Sequence, residues 1–181
     1  MGYPRWNTTS DRYLDPTAGD AWAADAAATG QRGTQRILDA ETIPAPDDIA
    51  DLLGVPAGAS VVRRRRLVLA DEQPVEIATS YWPGSLAAMT VLALPQKIAG
   101  GAVRFLAELG YTPHEVREDI TVRSSTAAEE VLFQQRPLAL VHAEPVMELT
   151  RVLLDHEGQP FQVDVNVMRE GQHIRYTRQA G

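Results

Sequence analysis

The chain contains no cysteine, which excludes disulfide cross-links, thiolate nucleophiles and cysteine-ligated zinc and fits a reducing cytosol. Long apolar runs are lacking as well. None approaches the roughly 18 residues that a membrane helix requires. The start, Met1-Gly2-Tyr3-Pro4-Arg5-Trp6, has neither the apolar core of a signal peptide nor a hydroxyl residue where a myristoylation signal needs one. The expectation is a soluble, cytoplasmic protein. Positive charge is also short: 17 Lys and Arg stand against 24 Asp and Glu, for a formal charge of −7. Such a surface repels a phosphate backbone, so this segment is not expected to bind DNA by itself. Catalytic signatures are missing too. His114, His142, His156 and His173 are scattered without metal-ligand spacing, and no nucleophile elbow, phosphate loop or dinucleotide fingerprint is found. Glu118 and Asp119 adjoin on a predicted strand and so point to opposite faces, which rules them out as an acid–base pair. Neither enzyme activity, metal nor cofactor is expected.

What is present suits one domain: 181 residues, 44% of them hydrophobic, suffice for a single core. The chain is organised around Arg63 to Pro83, where two runs of strand composition flank a tight Ala70-Asp71-Glu72-Gln73-Pro74 connection, the pattern of a β-hairpin. The pattern recurs from Arg151 to Val165 as arginine, apolar run, acidic turn, Gln-Pro and strand, displaced by about 85 residues, which reads as a duplicated hairpin rather than a solenoid.

Around these hairpins the sequence predicts helices. Residues 1–19 lack periodicity and read as a tail or incoming linker. Asp20 is placed to cap an alanine-rich helix from Ala21 that Gly30 closes. Thr34 to Thr42 has strand character. Pro46 starts a short helix with Ile49, Leu52 and Leu53 on one face and Gly54 as its stop. A turn of helix is expected at Ser85 to Met89. A longer helix follows Gly100-Gly101, with Val103, Leu106 and Leu109 at helical spacing. His114 to Ser124 alternates as a strand, Val116, Glu118, Ile120 and Val122 on one face. Thr126 and Glu129 have capping-box spacing for a helix that Pro137 ends or kinks. Pro145 to Leu154 and Phe161 to Met168 form the second hairpin, and Gln172 to Arg178 a last strand or tail. Helices and antiparallel strands without βαβ alternation make the class α+β.

This succession (a helix ending at Gly30, Ala50-Asp51-Leu52-Leu53-Gly54-Val55, the arginine-rich strand, the acidic turn, Ser80-Tyr81-Trp82-Pro83, a helix ending at Gly110, Glu144-Pro145-Val146, and Arg151 to Pro160) resembles the UTRA domain, the effector-binding domain of HutC-type, GntR-family bacterial transcription regulators. The resemblance covers roughly residues 20–178 and rests on several short motifs together. It implies a chorismate-lyase-like fold, mainly antiparallel sheet with flanking helices, a cleft for a small-molecule effector, a homodimer, and operator DNA bound through a preceding winged helix-turn-helix domain. That domain is not in this chain. The fold's namesake makes a lyase acting on a small carboxylate the rival reading, which fold alone does not support.

The resemblance also places a site. Alternation puts Arg63 and Arg65 on one face of their strand and Arg64 and Arg66 on the other, against a nucleic-acid patch. In sugar-phosphate-sensing members this strand supplies an Arg-x-Arg pair and the next strand a glutamate; those positions hold Arg66, Val68 and Ala78. The phosphate-binding hydroxyl at the mid-domain helix corresponds to Gly101 and a nearby aromatic to Val103, while the Gly100-Gly101 backbone still offers amides to an anion. A pocket so altered should prefer an effector larger or less polar than a phosphorylated hexosamine. Trp22 is expected to line the cleft; Tyr81 is a second aromatic candidate, alternatively packing in the core or a dimer contact; and Asp164, the repeat counterpart of Ala78, is a polar one, alternatively an exposed strand carboxylate. Arg66 and Arg151 are alternatively structural, paired with carboxylates such as Asp164 or Glu118.

Overall fold

The two hairpins form the middle of a six-stranded antiparallel sheet in the computed structural model, which describes residues 6–8, 11–134 and 142–178. In chain order the elements are β1 (Trp6–Thr8), a 3-10 turn (Asp11–Leu14), α1 (Ala21–Ala28), β2 (Gly33–Pro44), α2 (Asp47–Leu53), β3 (Ser60–Ala70) and β4 (Gln73–Pro83). There follow α3 (Gly84–Ala87), a second 3-10 turn (Val91–Ala93), α4 (Gly101–Glu108), β5 (Glu115–Ser124), α5 (Ala127–Gln134), β6 (Pro145–Leu154), β7 (Pro160–Met168) and β8 (Tyr176–Arg178). The main sheet runs β2-β3-β4-β7-β6-β5, and β1 pairs separately with β8. The class is α+β, as the interleaved patterns predict.

The β3–β4 turn is made by Asp71 and Glu72, both at positive φ (48° and 63°), the handedness that a two-residue hairpin needs to match strand twist. The duplication extends to the irregularities. Arg66 stands opposite Ala78 and Arg151 opposite Asp164, and each hairpin shifts register at the same place, between Val68 and Leu69 and between Leu153 and Leu154. The second strands of the two hairpins pair with each other, Ala78 opposite Asn166, so the repeat generates the sheet's centre.

Local signals set the helices. Asp20 accepts the Ala23 N–H at 3.0 Å, Gly54 ends α2 in the left-handed conformation, and Thr126 and Glu129 exchange capping bonds of 3.3 and 2.7 Å. Pro137, expected to end this last helix, lies outside the described residues. In α4 the packed face differs from the expected one: Leu106 is buried with Ala102 and Phe105 against the core, whereas Leu109 is exposed. The apolar partners come from the α3 segment and Phe161, and these select a face rotated from the Val103–Leu109 line. Residues 1–19, read from the sequence as a tail, include β1 and the first 3-10 turn, whose Leu14 joins the same cluster.

Helices lie on both faces of the sheet. One face packs α2 against Val61, Val152 and Val163 at one end, and Phe133 of α5 against Leu67, Ile77 and Val167 at the other. On the opposite face α3, the second 3-10 turn and α4 cover only the end bearing Val62, Trp82 and Leu153. The remainder of that face carries the polar side chains.

Candidate functional site

Because side chains of antiparallel partners share a face, the register resolves this polar half-face into three rows. The first row is Glu118, Arg151, Asp164, Ser80 and Arg64 across β5-β6-β7-β4-β3. The second is Ile120, Leu149, Asn166, Ala78 and Arg66. The third is Val122, Met147, Met168, Glu76 and Val68, with Gln35 of β2 beyond.

The first row is satisfied internally. Arg151, 4% exposed, donates to Glu118 Oε1 at 2.8 Å, the structural pairing anticipated as one of two readings. Asp164 accepts from Ser80 Oγ at 2.6 Å and from Gln162 Nε2 at 2.9 Å, so its carboxylate is occupied by protein donors. Arg64 points its guanidinium into the carbonyls of Leu94 and Gln96 at 2.6 and 2.5 Å. Burial, and secondarily Arg66, lower its pKa.

The second and third rows hold the unspent polar groups. Arg66 reaches Gln35 Oε1 at 3.1 Å, while its buried Nε finds no partner. Glu76 is half-buried and no hydrogen bond engages its carboxylate among the described residues. Burial pushes its pKa up to about 7; Arg66 and Arg151 pull it down and Asp164 pushes it further up. Two tyrosines from the chain ends reach this face. Tyr176 donates to Glu118 Oε2 at 2.8 Å. Tyr13 donates to Asp25 at 2.7 Å, and its own pKa is raised to about 12 by burial first and then by Glu76, which puts the first 3-10 turn within electrostatic reach of the third row.

The structure thus brings Arg66, Val68, Ala78 and Asp164 onto one face, with Val68 and Ala78 buried at 5% and 3% exposure. Trp22 stands beside its β2–β3 margin, its indole N–H given to the Leu69 carbonyl at 2.9 Å and its ring filling the space beside Gly33. Gly100, Gly101 and Val103 sit at the start of α4, over the covered end of the same face. The Gly101 N–H is spent on the Ile98 carbonyl at 3.0 Å, so that amide is not available to an anion, although no atom lies within 4 Å of where a Gly101 side chain would begin. Tyr81 is on the other side of the sheet, packed with α2 and Val163, and does not join the group. Arg63 and Arg65 share that other face and are held by Asp39 and Glu41, an ion network rather than a basic patch, in which Asp39 Oδ1 and Arg63 Nε are also buried without a hydrogen bond.

Sequence reasoning missed Glu76, Tyr13 and Tyr176. Glu76 had a signal: two residues before Ala78, it must share Ala78's face. The tyrosines had none. A shallow notch lined by Glu144, Pro145, Arg169 and Glu170 lies beyond the ends of β6 and β7.

Comparisons with known proteins bear on the family and the fold. The sequence matches the profile of the UTRA domain over residues 28–173. It is 30% identical over 172 residues to an HTH-type transcriptional regulator of Streptomyces coelicolor, SCO4628, covering 92% of this chain and 61% of that protein. A crystal structure of a Streptomyces coelicolor protein described as a transcriptional regulator superposes with a TM-score of 0.70 at 23% identity, covering 83% of this chain and 96% of that one. The effector domain of PhnF from Mycobacterium smegmatis gives 0.65 at 20% identity, covering 85% and 90%. The chain therefore spans less than two thirds of its curated relative's length, and on the extent of the profile match it belongs to the UTRA domain family.

Proposed function

We propose that this chain is the small-molecule-sensing and dimerising part of a GntR/HutC-type transcriptional regulator acting in the cytoplasm, and that the effector sits on the half-face of Arg66, Glu76 and Ala78. The observation that carries the reading is the unspent polarity there: in a UTRA domain, the buried Arg66 Nε has no partner, and Glu76, on the diagonal position of the next strand, has no hydrogen bond to its carboxylate among the described residues. Buried polar groups are normally hydrogen-bonded, so the Arg66 Nε is the group that a ligand's acceptor would satisfy, with the half-buried Glu76 carboxylate beside it. Val68 and Ala78 supply apolar floor where sugar-phosphate sensors carry polar anchors, which favours an effector larger or less polar than a phosphorylated hexosamine.

The effector would act through differential affinity: it shifts operator binding by a separate N-terminal winged-helix domain only if it binds one arrangement of the homodimer better than the other. Catalysis is not part of the proposal, and incubation with chorismate is expected to release no pyruvate. The test is a thermal-shift screen of metabolites, since a specific ligand raises Tm by mass action. Calorimetry with glucosamine 6-phosphate should show no micromolar binding. Micromolar binding of that compound, with no response to less polar ligands, would overturn the assignment of ligand class.

A further inference from the structure

The two edges of the main sheet are protected to different degrees. β2 carries a register shift between Ile37 and Asp39, and bulges of this kind discourage pairing with another chain. β5 has none: its ten residues run in continuous register from Glu115 opposite Leu154 to Ser124 opposite Pro145. Among the described residues no strand pairs with its outer edge. Its β-branched apolar side chains Val116, Ile120 and Val122 are 38%, 41% and 75% exposed. The alternation of this strand predicts a buried face, and the single chain does not bury it. A long, regular, apolar edge is a template for another strand.

We propose that β5 is covered by β5 of a second copy, joining two sheets across a two-fold axis; this rests on the homodimer reading above and locates its interface. Antiparallel pairing about an axis perpendicular to the sheet sets residues of equal parity opposite one another, which leaves few registers. Centring on Asp119 opposes two bare carboxylates. Centring on Ile120 sets Arg117 against Arg123, centring on Arg117 sets that arginine against itself, and centring on Thr121 sets Asp119 against an Arg123 already engaged by Glu129 and Glu148. Centring on Glu118 places Arg117 of one copy opposite Asp119 of the other, twice, and Val116 opposite Ile120, twice. The one like pair, Glu118 with itself, is compensated because each Glu118 is already held by Arg151 and Tyr176. Opposite charges and apolar pairs directly across strands stabilise and like charges oppose, so the sequence of β5 is complementary to itself in that register.

Sedimentation equilibrium of the chain and four variants tests this. Arg117 and Asp119 are exposed, so R117D and D119R should fold with unchanged circular dichroism. Each single reversal is expected to raise the dimer Kd at least tenfold, and R117D/D119R, which restores opposite charges, to recover it to within about threefold. I120T, which removes apolar contact without touching charge, should weaken the dimer about threefold or more. Single variants that dimerise as the parent does, or a double variant no better than the singles, would overturn the β5 interface while leaving a dimer through another surface. A parent chain that stays monomeric at hundreds of micromolar would overturn both.

Discussion

At the scale of the residue, Glu76 is the side chain on which most depends. Its pKa is raised from 4.5 in the unfolded reference to about 7, so between those values the folded protein holds a proton that the unfolded chain releases. The contribution of Glu76 to stability is therefore lost as pH rises from about 4.5 to 7 and is level beyond. Glu76→Gln removes this dependence. Relative to the parent, the variant should gain on the order of 1–3 kcal/mol between pH 5 and pH 8 in urea denaturation; an equal pH dependence in both proteins would refute the assignment. Arg151 gives a contrasting case. Arg151→Met takes the cation from a buried Glu118 that keeps the Tyr176 hydroxyl and should cost about 3–5 kcal/mol in the same measurement, whereas an exposed pair such as Arg104 with Glu108 should cost under about 1 kcal/mol when broken. The resemblance puts the cleft glutamate's position at Ala78, whereas strand alternation alone puts Glu76 on the same face. Tyr13 and Tyr176 were illegible for a different reason: their place is fixed by contacts over 12 and 58 residues of chain, which no local pattern encodes.

At the scale of the element, what was legible is what local chemistry determines. Both hairpins, the Asp20 cap, the Gly54 stop and the Thr126–Glu129 box were readable because turn handedness and orphan amides act within a few residues. The phase of α4 was not. Several faces of that helix are apolar enough to pack, and the neighbouring Phe161 and α3 segment choose among them. Nor was the exposure of β5, because alternation says which side chains share a face and not whether anything covers it. The β3–β4 turn offers a test at this scale. Glu72 is a non-glycine residue at φ 63°, and the hairpin needs that conformation. Glu72→Gly should raise stability by about 0.5–1 kcal/mol by relieving the left-handed strain, read as a Tm increase of a few degrees; Asp71, which also accepts the Arg32 N–H at 2.8 Å, should not tolerate the same change.

At the scale of the whole molecule, a duplicated hairpin builds a sheet whose two faces are used differently. One is sealed at both ends by α2 and α5. The other is sealed only where α3 and α4 lie, leaving a half-face of mixed charge overlain by residues from both chain ends. No helix among the described residues is long and apolar enough to cross a membrane. The most direct measurement is amide NMR of the chain titrated with a compound that raises its Tm. Saturable shift changes concentrated at Arg66, Glu76, Ala78 and Asn166 are predicted. Changes centred instead on Tyr81 and α2, or on the notch at Glu144 and Arg169, with the Arg66–Asn166 row silent, would contradict the account.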